Sequence, residues 1–146
     1  MNKQAIWNNS DIDIQQIQVV SKGTMMETLD INYTEITDNT LSASMPVDKR
    51  TVQPLRKLHG GASCVLAETL GSVASNMVVD QKEFFAVGQH ISTHHLKAAN
   101  EGSVVTGKVT PIHLGSRTHL WEILITDESG QLISTTKLTM AIIKRK

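Results

Sequence analysis

The sequence predicts an α+β fold in which a curved antiparallel sheet wraps around one long central helix. Between residues 60 and 79 the chain is small and apolar and carries a single charge, Glu68. A surface helix would instead set several Lys and Glu residues opposite its apolar side. Strand-like segments bracket this helix, a hairpin before it and three or four strands after it. Such a sheet must bury one face, and the one long apolar helix is the only element available to cover it.

Taken in chain order, residues 12–26 mix polar and apolar side chains at loose helical spacing, with Ile12, Ile14, Ile17, Val19 and Val20, and read as a short helix. Residues 29–36 read as a strand, Asp38-Asn39 as a turn and 41–46 as the returning strand of a hairpin. A polar loop over 47–58 leads into the helix at 60–79. Residues 85–97 form a long strand, and Gly102 separates it from a second at 103–111. The third, 117–126, alternates through His119, Trp121, Ile123 and Ile125. Ser129-Gly130 supplies the next turn, and 131–143 closes the sheet. With no repeats and no linker, residues 1–146 are expected to form one domain with a real core.

Composition narrows the function. Lys plus Arg equals Asp plus Glu at 14 each, so no net field gathers nucleic acid. Five aromatics, Trp7, Tyr33, Phe84, Phe85 and Trp121, are too few for a base-stacking platform. The lone Cys64 has no intrachain disulfide partner and reads as a small packing residue in a reducing compartment. No segment approaches the ~20 apolar residues of a membrane span, and the N-terminus has no leader pattern, so a soluble cytoplasmic protein is expected.

Within the helix, at about 100° per residue, Gly61, Cys64, Glu68, Gly71, Ser72 and Ser75 fall on one stripe. Ala62, Val65, Leu66, Thr69, Leu70, Val73 and Met77 cover the side beside it. The second set reads as core, and the first as a smooth groove holding one acid. A lone carboxylate flanked by small residues points to a ligand-accessible site. The preceding His59-Gly60-Gly61 adds the open backbone N–H groups of a helix start, which suit developing negative charge. Rival chemistries fit less well. Gly61-Ala62-Ser63-Cys64-Val65 lacks the last glycine of a nucleophile elbow. His90 and His94 on one strand face lie about 13 Å apart, too far to share a metal with His95.

In order along the chain stand Met45-Pro46-Val47-Asp48, Gln53-Pro54, His59-Gly60-Gly61-Ala62-Ser63, Leu66-Ala67-Glu68, Gly71-Ser72, His95 and His113-Leu114-Gly115-Ser116-Arg117. This series resembles the hotdog-fold acyl-CoA thioesterases, in the branch with 4-hydroxybenzoyl-CoA and 1,4-dihydroxy-2-naphthoyl-CoA thioesterases. The resemblance implies that Glu68 attacks the thioester carbonyl or activates water, and that the Gly60 N–H binds the oxyanion. It implies that Gln53 bonds near the carbonyl or the water, that His59 shapes the entrance, and that Ser72 orients the nucleophile or water. His95, Lys97 and the Gly115-Ser116-Arg117 segment would contact the CoA arm. The pattern departs from the family at Pro54-Leu55-Arg56 and at His94-His95. No cofactor is implied; a catalytically silent acyl-CoA sensor or carrier is the alternative, and a hotdog hydratase, which would want an Asp/His pair, a weaker third.

Spacing adds an expectation about assembly. Gly60 and Glu68 are separated by about 12 Å of helix, whereas one carbonyl must lie within roughly 3 Å of both groups. Two antiparallel helices related by a two-fold axis near Cys64 would bring Glu68 of one subunit to Gly60 of the other. Gly61, Cys64 and Gly71 would permit the approach. A homodimer with shared sites, arranged as a dimer of dimers, is therefore expected.

Overall fold

The computed structural model describes residues 5–9 and 11–146; the polar start of the chain, 1–4, lies outside them. Two short helices, α1 (Ile14–Val19) and α2 (Met25–Thr28), precede a hairpin of β1 (Asn32–Ile36) and β2 (Leu41–Pro46). The long helix α3 (Gly60–Val78) follows, and then β3 (Phe84–His95), β4 (Val104–Leu114), β5 (Thr118–Asp127) and β6 (Leu132–Lys144). The six strands form one antiparallel sheet in the order β1-β2-β4-β5-β6-β3. Helix α3 lies against β2, β3, β4, β5 and β6, so the sheet curves around it as the sequence leads one to expect.

The expected helix over 12–26 is instead two pieces. Asp13 caps α1 in a capping box with Gln16, and Gly23, at φ 70°, breaks the run before α2. Asp30, at φ 56°, delays β1 until Asn32. Strand β4 continues three residues past Pro111, because a bulge between Pro111 and His113 absorbs the missing N–H.

Which face of α3 meets the sheet differs from the expected stripe. Of the expected core face Leu66, Thr69, Leu70 and Met77 are buried, together with Ser63, Ala67, Gly71, Ala74 and Ser75, whereas Ala62, Val65 and Val73 are half-exposed. Gly71 and Ser75 therefore belong to the core. A Cβ on Gly71 would stand 2.3 Å from Leu138 Cδ2, and one on Gly107 would stand 2.6 Å from Leu70 Cδ1. These glycines seat the helix close to the sheet, so Gly71 is not available for contact with a second helix. Ser75 accepts from Trp121 Nε1 at 2.7 Å and lies 3.1 Å from His119 Nδ1. That contact satisfies the polar groups of a buried layer.

Leu70 is fully buried, its Cδ1 against Gly107. Leu70→Ala is expected to remove about 2–5 kcal/mol of stability, read as a lower urea midpoint with an unchanged slope.

Candidate active site

The site has two halves at different heights on α3. The first is the helix start. His59 is the N-cap, with extended backbone at φ −68°, ψ 133°, and its Nδ1 accepts from the Gly61 N–H at 2.8 Å. Its own N–H donates to the Thr51 carbonyl at 2.8 Å. The Gly60 N–H, by contrast, has no acceptor among the described residues. A side chain at position 60 would put its Cβ 2.7 Å from His95 Nε2, so glycine lets the His95 ring lie over the helix start.

Gln53 stands beside it in a tight loop. Its N–H donates to the Lys57 carbonyl at 2.8 Å, its carbonyl accepts from the Arg56 N–H at 2.9 Å, and its Oε1 accepts from the Leu55 N–H. The loop turns at Arg56, at φ 57°, and an ion pair from Arg56 to Glu101 holds it. The Gln53 side-chain NH2 has no acceptor among the described residues. Gln53, Lys57, Gly60, His95 and Lys97 thus line one cleft of about 480 Å³.

The second half is Glu68, about 12 Å further along the helix axis. It is half-buried, and among the described residues no cation is in ion-pair contact with it. Burial pushes its carboxyl above the ordinary glutamate value, and a hydrogen bond donated by Ser72 partly opposes that shift. Gly88 of β3 forms the notch that receives it. A Cβ there would fall 1.9 Å from Glu68 Oε1, and the strand bulges at this residue. Asn76 fixes helix against strand, its Nδ2 donating to the Ala86 carbonyl at 3.1 Å and its Oδ1 accepting from the Ala86 N–H at 2.9 Å.

The sequence reading did not include Gly88. Its one available signal was an isolated glycine inside a strand pattern, which marks a bulge or a close approach.

Not all the expected residues meet within one chain. Gln53, Gly60, His95 and Lys97 converge, and Glu68 and Ser72 touch. His59, adjacent to Gly60, caps the helix through its Nδ1. Gly115, Ser116 and Arg117 form the β4–β5 turn at the opposite end of the sheet: the Arg117 carbonyl accepts from the Ile142 N–H, whereas the Lys97 N–H donates to the Ile133 carbonyl. Those two points on β6 are roughly 30 Å apart.

Gly88→Ala is expected to push the carboxylate out of its notch toward solvent. NMR titration of the Glu68 carboxyl would then move down toward the ordinary glutamate range, with the unfolding midpoint close to parental.

The chain is similar to known thioesterases. The family model described as Thioesterase superfamily matches residues 56–134, a span holding Gly60, Glu68, Ser72, Gly88, His95 and the 115–117 turn. Over 138 residues the chain is 44% identical to the 1,4-dihydroxy-2-naphthoyl-CoA hydrolase of Escherichia coli, covering 94% of this chain and 99% of that one. It is also 44% identical to the proofreading thioesterase EntH of Cronobacter sakazakii, covering 94% and 98%. The crystal structure of a mutant thioesterase from Pseudomonas aeruginosa superposes with a TM-score of 0.93 at 38% identity, covering 97% of this chain and 100% of that one. The architecture is the hotdog fold. On this evidence the chain belongs to the Thioesterase superfamily and is a thioester hydrolase.

Proposed function

We propose that the protein hydrolyses aromatic acyl-CoA thioesters, with Glu68 as the reacting carboxylate and the Gly60 N–H as the oxyanion donor. The observation that carries this reading is the half-buried Glu68, which has no cationic partner among the described residues and is held only by Ser72 and the Gly88 notch. A carboxylate neutralised by an ion pair would be a poor base, and a fully solvated one would be weaker than this one. Two relatives named for thioester hydrolysis, one on a naphthoyl-CoA, support the substrate class.

The charged carboxylate either adds to the carbonyl carbon or takes a proton from the water that does. In both cases the carbonyl oxygen becomes an oxyanion and the C–S bond breaks to release the thiol; attack by water gives the free acid at once, whereas attack by the carboxylate leaves a mixed anhydride on Glu68 that a water then hydrolyses to the free acid and the restored carboxylate. A thiol pKa near 8.5 lets the thiolate leave without a dedicated acid. An oxyanion donor is typically worth about 2.7–4 kcal/mol of transition-state stabilisation, so the open Gly60 N–H at a helix start matches the need.

The two halves meet when two copies pair. Strand β3 is a sheet edge twelve residues long, and edges of that length pair readily with another chain. The other edge, β1, is five residues long and bulged. Within one chain Glu68 abuts Gly88 and Gly60 abuts His95. Antiparallel pairing that sets Gly88 opposite His95 of the partner subunit therefore carries Glu68 toward Gly60 of the partner subunit. The two-fold axis then passes between Ile91 and Ser92, next to Cys64, whose Sγ lies 3.5 Å from Thr93 Oγ1. The same pairing levels Lys97 of the partner subunit with Ala86, hence with Ile142 and the Arg117 turn beside it. The basic residues expected to hold the CoA arm are thereby gathered from two chains.

Glu68→Gln is expected to lower kcat by about 10²–10⁴-fold on benzoyl- or naphthoyl-CoA, followed by thiol release. Because the fold raises this carboxyl, the acid limb of kcat/KM lies above the usual glutamate range, and Ser72→Ala, which removes a donor to the charged form, moves it to higher pH. The fold favours the protonated acid, so the stability tied to this group is complete below the ordinary glutamate pKa and is lost as pH rises through the folded one. Glu68→Gln is accordingly more stable than the parent at neutral pH by thermal denaturation.

Shared sites have a separate signature. Glu68→Ala and Gln53→Ala, each inactive alone, should on unfolding and co-refolding regain about a quarter of parental activity, because half the dimers are mixed and each of those holds one intact site. No recovery would exclude sites built from both chains.

A further inference from the structure

Among the described residues only two other than glycine stand at positive φ, Asp30 at 56° and Arg56 at 57°. Aspartate tolerates that conformation through its short polar side chain, whereas arginine has no such help and its Cβ crowds the following carbonyl. Arg56 also falls within Pro54-Leu55-Arg56, where the sequence departs from the family pattern.

The loop explains why position 56 turns this way. The Gln53 N–H donates to the Lys57 carbonyl and the Gln53 carbonyl accepts from the Arg56 N–H, which closes a three-residue loop over Pro54, Leu55 and Arg56. An antiparallel bridge between Val52 and Leu58 flanks it. Tight loops of this length set their last residue in the left-handed region, a place that glycine fills without strain. Burial gives no help, since Pro54, Leu55 and Arg56 are all exposed. The foot of the loop is braced by Lys57 Nζ on Asn100 Oδ1 and by the Leu58 N–H on the Ala99 carbonyl. The tip depends on Glu101. Its carboxylate accepts from Arg56 Nε, at 2.7 Å, and from Nη2, and its N–H donates to the Arg56 carbonyl at 3.2 Å. This two-pronged contact uses the planar guanidinium, which a lysine could not replace.

We propose that Arg56 and Glu101 are positioning residues for Gln53, a clamp that keeps the loop in the one conformation that fixes the Gln53 side-chain amide. The proposal rests on the reading of Gln53 as part of the active site. The link is the Leu55 N–H, which donates to Gln53 Oε1 and so sets the direction of the amide group. If position 56 left the left-handed region, the peptide groups on either side of it would turn, and the bonds that close the loop on Gln53 would open. A released amide spends part of its time away from the reacting carbonyl. Neither member of the clamp needs to touch the substrate.

Two substitutions at one position separate the clamp from its charge. Arg56→Ala removes the ion pair and keeps the Cβ; Arg56→Gly removes both. With benzoyl-CoA, Arg56→Ala should lower kcat by about five- to ten-fold and leave KM close to parental, whereas Arg56→Gly should return kcat to within about two-fold of the parent. Glu101→Gln should match Arg56→Ala, and adding Arg56→Gly to it should restore kcat. Amide exchange at Leu55 reports on the loop apart from activity: slow in the parent and in Arg56→Gly, faster in Arg56→Ala and Glu101→Gln. Parental kcat in Arg56→Ala overturns the proposal. So does an equal loss in the alanine and glycine variants, and if that loss lies in KM, Arg56 is a binding charge for the substrate instead. Gln53→Ala separates the two levels. If it lowers kcat while the Arg56 variants stay parental, the clamp fails and the reading of Gln53 stands. If it leaves kcat intact, that reading fails and this proposal with it.

Discussion

Everything in this molecule follows from how closely α3 seats on its sheet. Gly71 lets Leu138 reach the helix, and Gly107 lets Leu70 reach the sheet, at distances any Cβ would block. With the helix that low, Asn76 can bond both backbone groups of Ala86 and fix helix against strand. The same tightness puts Glu68 into the Gly88 notch and His95 over Gly60. Core packing and site geometry are one set of contacts, so a change that lifts the helix disturbs both.

That arrangement carries a cost in stability at the carboxylate. Removing Glu68 from water favours its neutral form, and with no cation in ion-pair contact among the described residues the Ser72 hydroxyl offsets only part of the penalty. The apolar layer beneath, from Leu66 through Leu70 to Met77, supports the strained electrostatics. The opposite pattern appears at His119. Burial holds its imidazole below the ordinary histidine value, and Ser75 and Trp121 complete a polar group in the core that stays uncharged near neutrality.

Much of this was legible in the sequence. A single charge in a long apolar helix identified both the central element and Glu68, and strand periodicity around it gave the fold class. The orientation of α3 was not legible, because small residues fit a groove and a tight helix–sheet contact equally well; Gly71 and Ser75 turned inward since the sheet below needed them. Gly88 showed only as an isolated glycine in a strand, because what it receives is a side chain twenty residues earlier. Arg117 and Lys97 could not be placed without strand register, which sets them at opposite ends of β6. The N-terminal segment read as loose helix, with nothing in its pattern to say that it walls a cleft beside Ser72.

The unequal sheet edges bear on how far self-association can go. Strand β1 is five residues long, whereas β3 is twelve, and each carries a bulge; the outer hydrogen-bonding groups of β3 are unused by any strand among the described residues. A protomer with two adhesive margins would add copies without end, as fibrils do. With one margin, a pair of chains joined along it has nothing left to offer a third in the plane of the sheet, and growth by strand addition is self-terminating.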